Sequence, residues 1–245
     1  MAGHSKWKNI QHRKNAQDAS RGKIFTKLIR EITTAAKMGG GDPNGNPRLR
    51  LAIDKALTNN MTKDTITRAI KRGAGDGDDT HLEEIVYEGY GPAGVAVLIE
   101  CLTDNKNRTV ADVRHVFTKW GGNLGATGSV SYLFSKIGCL QFEKGNDEEK
   151  IMFIALEKGA NDIKTNEDGS INVITTPENF IAIKDAFIQA NLHPMQAEIT
   201  MSASTQVTVI DEDQIKQILK LLDNLEELDD VQNVYANADI IGNIG

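Results

Sequence analysis

Histidines, cysteines and neighbouring carboxylates are the residues of this chain able to do acid–base, metal or nucleophilic chemistry, and none has the spacing that chemistry requires. The five histidines, His4, His12, His81, His115 and His193, are scattered. No H-E-x-x-H or paired C-x-x-C sets metal ligands on one face. Cys101 and Cys139 sit in separate apolar runs and read as buried, reduced thiols. Glu83-Glu84 and Asp229-Asp230 are adjacent pairs, which point opposite ways on a strand, and they read as solvated surface or caps. The glycine loops at 39–45 and 73–77 lack the lysine and the strand–loop–helix setting of a phosphate cradle. No serine stands in a nucleophile elbow. Nothing here supports an enzyme, and no catalytic residue, metal or cofactor is expected.

The cations, by contrast, are patterned. Between His4 and Arg30 stand eight Lys or Arg (Lys6, Lys8, Arg13, Lys14, Arg21, Lys23, Lys27, Arg30) against one acid, Asp18. A segment this basic, with few apolar residues before Ile24, buries little surface alone and reads as an arm ordered by an anion. Residues 1–75 hold 16 Lys/Arg and 5 Asp/Glu, a net +11, and residues 76–245 hold 12 and 29, a net −17; together they return the −6 of the whole chain. Such a split points to one part that binds polyanions and another that stays off them. The footprint is that of phosphate contact. Trp7, between Lys6 and Lys8, could stack on a base or pin the arm to the helical core. Arg48 and Arg50 open the next helix, and no side chain stands out as a base reader, so phosphate and shape are the expected targets.

These cations need helices to present them. From Ser20, Ile24, Phe25, Leu28, Ile29, Ile32, Ala35 and Ala36 fall on one arc of a helical wheel, with Lys23, Lys27, Arg30 and Lys37 opposite. Gly39–Gly45 ends that helix. Asn46 caps the next, Pro47 takes its first position, and Leu49, Ala52, Ile53, Ala56 and Leu57 turn inward. Thr62 caps a third, which closes at Gly73-Ala74-Gly75. A basic helical domain over 1–75 is expected.

From about residue 80 the texture is strands and helices. A hairpin over Ile85–Tyr90 and Val95–Cys101, a helix to Trp120 and a strand at Ser129–Phe134 are expected. Residues 138–201 follow the order strand, helix, strand, strand, helix, strand, the ferredoxin-like βαββαβ arrangement. A strand at Val207–Ile210, a helix from Glu212 and a strand at Val231–Ala236 lack a core of their own. The expected fold is α+β with three domains: 1–75; 80–134 with 206–240; and a ferredoxin-like domain, 135–205, inserted into the second. No apolar run of membrane-spanning length and no secretory leader are present, so a cytoplasmic protein is expected.

Gly3-His4-Ser5-Lys6-Trp7-Lys8-Asn9-Ile10-Gln11-His12-Arg13-Lys14, Arg21–Leu28, Asn46-Pro47-Arg48-Leu49-Arg50 and Tyr87-Glu88-Gly89-Tyr90-Gly91-Pro92 resemble the YebC/PmpR family. So do Thr103–Thr109, Gly121–Gly125 and Leu228-Asp229-Asp230-Val231-Gln232. The resemblance spans nearly the whole chain in matching order; the surroundings of Cys139 depart from it. It implies a helical amino-terminal domain, two α+β domains and no established catalytic chemistry. It also implies a DNA-binding transcriptional regulator, although some members, including a mitochondrial relative that activates translation, are described as ribosome-associated factors that help difficult peptides be made. Carried onto this sequence, the family's basic positions are Lys6, Lys8, Arg13, Lys14, Arg21, Lys23 and Lys27, with Trp7 and His12 beside them.

The expected function is a non-enzymatic, nucleic-acid-binding regulator, in the first place of transcription. The alternatives are a translation factor on ribosomal RNA and an adaptor whose acidic domains bind a protein. The expected partners are DNA or ribosomal RNA, with the ribosome a further one, and neither a membrane nor a small-molecule substrate.

Overall fold

The computed structural model describes residues 21–75, 82–166 and 168–241. The arm positions Lys6, Trp7, Lys8, His12, Arg13 and Lys14 lie outside the described residues. Two compact units result, one from the described residues up to Leu133 together with those from Thr205 on, the other from Phe134–Ser204.

The first unit opens with three helices, α1 (Arg21–Gly39), α2 (Pro47–Thr58) and α3 (Lys63–Ala74). Leu28, Ile32, Ala35 and Ala36 of α1 meet Leu49, Ala52 and Ala56 of α2 and Ile66 and Ala69 of α3 in one core. Small residues let the backbones approach closely; a methyl group on Gly73 would run into the Thr33 carbonyl oxygen of α1. Leu57, expected inward, is exposed. It lies about 100° round the helix from Ala56, off the buried stripe.

Asn46 joins two helix ends. Its Oδ1 accepts from the Leu49 N–H at 3.1 Å, capping α2. Its Nδ2 donates to the carbonyls of Ala35 at 2.8 Å and Gly40 at 2.9 Å, at the end of α1. One buried side chain therefore satisfies orphan groups of both helices.

The hairpin of β1 (Glu83–Tyr90) and β2 (Ala96–Thr103) follows, then α4 (Lys106–Lys119) and the short β3 (Asn123–Leu124). The strand expected at Ser129–Phe134 is not formed; Ser131–Leu133 is a 3-10 turn. The cause is Glu88, buried in β1, whose carboxylate accepts the N–H groups of Gly128, Val130 and Ser131, each at 2.7 Å. Those donors wrap a side chain and are lost to any ladder. Tyr87 packs on the sheet core, and the Tyr90 hydroxyl donates to the Ser129 carbonyl at 2.8 Å, so both serve hairpin packing.

The second unit runs β4 (Phe134–Phe142), α5 (Glu148–Glu157), β5 (Asp162–Thr165), β6 (Ile171–Thr175), α6 (Phe180–Gln189) and β7 (Gln196–Ala203). Its antiparallel sheet has the order β5-β6-β4-β7, the ferredoxin-like order. Phe142 meets Phe187 edge-on at 4.9 Å between centroids. α6 begins only at Phe180, because Thr176 Oγ1 accepts the Asn179 N–H and holds the preceding residues in a turn. Cys139 is half-buried rather than buried, on the middle of β4.

The chain then returns to the first unit with β8 (Val207–Val209), α7 (Glu212–Glu226), β9 (Val231–Ala236) and β10 (Ala238–Ile240). β9 adds to β2, giving the sheet order β3-β1-β2-β9, while β10, absent from the sequence reading, pairs in parallel with β8. Val113, Val116 and Phe117 of α4 and Ile218, Leu221, Leu222 and Leu225 of α7 bury against that sheet. No helix among the described residues is long and apolar enough to cross a membrane.

Asn46→Ala should cost about 1–2 kcal/mol from the lost cap, and more if the two carbonyls at the end of α1 stay dry. Asn46→Asp keeps the cap acceptor and loses both donors. It also sets a buried carboxylate oxygen against those two carbonyl oxygens, so denaturant titration should rank wild type first, Asn46→Ala next and Asn46→Asp last.

Candidate nucleic-acid interface

The cationic stripe of α1 faces other parts of the first unit. Lys23 Nζ donates to the Glu227 carboxylate at 2.5 Å and to its carbonyl at 2.9 Å. Lys27 Nζ, one turn on, reaches the Glu226 carbonyl at 2.6 Å. Arg30 Nη1, a further turn on, donates to the Asp229 carbonyl at 2.6 Å and to Asp230 Oδ1 at 2.9 Å. The helical spacing that aligns the three cations thus matches the carboxylates and carbonyls that follow α7. Burial pulls the Lys27 ammonium below its ordinary range, against the pull of the Glu226 and Glu227 carboxylates. The Lys23–Glu227 pair is well exposed and adds little stability.

Asp230 lies at the junction. Its Oδ1 accepts from Arg30 and from Arg108 Nη2 at 3.0 Å. Its Oδ2 accepts from Arg108 Nη2 at 2.7 Å, from Thr109 Oγ1 at 2.8 Å and from Thr103 Oγ1 at 3.2 Å. The residue is 5 % exposed, so the reading of Asp229-Asp230 as solvated surface fails for Asp230. Burial alone would raise this carboxyl; the hydrogen bonds from Arg108, Thr109 and Arg30 outweigh it and hold it below the ordinary aspartate range. Sequence reasoning assigned no role to Asp230, Arg108, Thr103 or Thr109. Their only signal was membership of the Thr103–Thr109 and Leu228–Gln232 stretches, whose meeting in space no local pattern reveals.

Arg48 is paired as well. Arg48 forks onto Glu31, with Nε at 2.7 Å and Nη2 at 3.0 Å, and also pairs with Glu84 of β1. The Glu31 hydrogen bond, stronger than the burial that opposes it, keeps this guanidinium firmly charged. Arg50 is half-buried on α2. Arg21 opens α1. The described structure therefore brings Lys23, Lys27 and Arg30 onto one face, while Arg48 ties α2 to α1 and β1.

Lys23, Arg30 and Arg108 line an open cleft of about 550 Å3 together with Asp104, Asp112, Glu227, Asp229 and Asp230. Carboxylates outnumber cations there, so a phosphate backbone would meet a net negative wall. Among the described residues, no three or more His, Cys, Asp or Glu side chains are grouped so that they could hold a metal ion. Cys101 is buried in the sheet core, and that burial pushes its thiol up to about 12, far from a reactive thiolate.

Asp230→Asn should lower the unfolding free energy by about 2 kcal/mol at neutral pH, less than a wholly buried pair because Arg108 is half exposed; thermal or urea melts would read it. Glu88 is held below its usual 4.5 because its three N–H donors overcome the burial that raises it. A carboxyl depressed in the folded state contributes stability above its unfolded value and loses it as pH falls through the folded value. Stability should therefore decline as pH drops below about 4.5, and Glu88→Gln should be less stable at pH 7 with a shallower acid limb.

Comparison with known proteins agrees with this architecture. The family described as TACO1/YebC protein N-terminal domain matches residues 5–76, and that described as TACO1/YebC second and third domain matches residues 82–238. A protein of Idiomarina loihiensis named probable transcriptional regulatory protein IL1088 is 62 % identical over 240 residues, covering 98 % of this chain and 96 % of that protein. A probable transcriptional regulatory protein of Coxiella burnetii is 62 % identical over 239 residues, covering 98 % of each. The crystal structure of the conserved hypothetical protein Aq1575 from Aquifex aeolicus superposes with a TM-score of 0.82 at 46 % identity, over 93 % of each chain. With both family descriptions matched end to end and relatives this similar over the whole chain, the protein belongs to the TACO1/YebC family.

Proposed function

We propose that this chain is a non-enzymatic, cytoplasmic, nucleic-acid-binding regulator of gene expression, acting on DNA as a transcriptional regulator. The observation that carries the proposal is the charge division: +11 over residues 1–75 against −17 over the rest. The names of the relatives from Idiomarina loihiensis and Coxiella burnetii, probable transcriptional regulatory proteins, support the regulatory part. Lys6, Lys8, Arg13 and Lys14, with Trp7 and His12 between them and Arg21 behind, make the first phosphate contacts. Lys23, Lys27, Arg30 and Arg48 join only where phosphates replace the carboxylates and carbonyls that hold them in the free protein, and Arg50 is the further contact on α2.

A second reading is a translation factor on ribosomal RNA. Trp7 between two lysines favours it, because an aromatic beside cations suits unstacked bases better than a closed duplex.

Replacing Lys6, Lys8, Arg13 and Lys14 together by alanine separates arm from body. On duplex DNA each lost phosphate contact should flatten the salt dependence of log affinity by about 0.9, and on single strands by about 0.7. An unchanged slope removes the arm from the interface. Full-length protein competed between duplex DNA and intact ribosomes at fixed salt decides the target. Sequence discrimination of about three powers of ten on duplex establishes the transcriptional role. Tight arm-dependent ribosome binding with weak, salt-sensitive DNA affinity establishes the second.

A further inference from the structure

In the second unit, helix α5 is apolar on two sides. Ile151, Ile154 and Ala155 are buried under the sheet, as an amphipathic helix requires. Met152, Phe153 and Leu156, however, stand on the opposite side, 42 %, 68 % and 66 % exposed. Their spacing sets them on one face, so they form a stripe rather than scattered singletons. Lys150 Nζ donates to the Ala190 carbonyl at 2.7 Å, which places the first turn of α5 beside the end of α6. Ile188, in the last turn of α6, is 43 % exposed at that same end. Leaving most of a phenylalanine and a leucine in water forgoes the stabilisation their burial would bring.

The stripe is framed by acids. Glu149 precedes Phe153 by one turn and Glu157 follows it by one turn, both exposed. Of the neighbouring cations, Lys150 is held by the Ala190 carbonyl and Lys158 lies 3.6 Å from Glu157. This charge selects the occupant. A second copy would bring the same acids against themselves, and an anionic lipid surface would be repelled. A helix with one apolar face and flanking lysines or arginines satisfies both the stripe and its frame.

We propose that the exposed face of α5 is a docking surface for a basic amphipathic helix of a partner protein, with Phe153 and Leu156 as apolar anchors and Glu149 and Glu157 as charge selectors. This surface is independent of the nucleic-acid reading, and either can fail alone.

The test uses the full-length protein and a labelled helical peptide of leucines on one face and lysines on the other, followed by fluorescence anisotropy. A peptide with glutamates in place of the lysines, vesicles of anionic phospholipid, and sedimentation of the protein alone supply the competing occupants. Phe153→Ser with Leu156→Ser should weaken the lysine peptide by about tenfold or more, with the circular dichroism of the protein unchanged. Glu149→Lys with Glu157→Lys should weaken it and reduce its salt dependence while keeping the apolar stripe. Equal Phe153- and Leu156-dependent binding of the glutamate peptide would overturn the proposal. So would stripe-dependent dimerisation, stripe-dependent vesicle binding, or lysine-peptide binding indifferent to both double variants.

Discussion

The carboxylate of Asp230 is the interaction on which the arrangement of the first unit depends. It accepts hydrogen bonds from Arg30 of α1, Arg108 and Thr109 of α4, and Thr103 at the end of β2, so one buried charge ties α1 and the Thr103–Thr109 stretch to the turn after α7, all far apart in the chain. A charge this dry is costly unless its lone pairs are filled. Here they are filled by two guanidinium groups and two hydroxyls. The geometry is therefore specific: shifting α1 by one residue would turn Arg30 away from its acceptor and leave Asp230 one donor short.

That anchoring changes how the cations divide their work. On a helical wheel, Lys23, Lys27 and Arg30 look like an outward stripe waiting for phosphate. In the folded chain they hold α1 against the acidic turn after α7, and Arg48 holds α2 against Glu31 and Glu84. A basic helix can thus be a structural clamp whose partner is carried elsewhere in the same chain. The −17 of the remaining residues is partly the counter-charge of that clamp. Under the proposed function, the load of first contact with nucleic acid passes to the arm.

Buried polar groups set other local choices in the same way. Glu88 gathers three backbone donors and converts an expected strand into a turn. Asn46 closes one helix and opens the next. The buried Asn237 accepts the Ala96 N–H at 2.8 Å and donates to the Thr205 carbonyl at 3.2 Å, linking β2 to the segment before β8. Each is a short polar side chain whose hydrogen-bonding capacity is spent on backbone, the commonest way to make a dry polar residue affordable.

By itself the sequence determined the helices and strands with strong periodicity, the Asn46 and Thr62 caps, the α+β class and the concentration of positive charge at the amino-terminal end. Those features are local: wheel arcs, alternation and turn residues act within a dozen positions. Only the tertiary structure decided that Lys23, Lys27 and Arg30 of α1 are paired, that Asp230 is buried, that Ser129–Phe134 is not a strand, and that α5 leaves an apolar stripe in water. Each of these depends on a partner more than ten residues away, or on which face of an element finds cover, and pattern along a chain carries no record of contact across space.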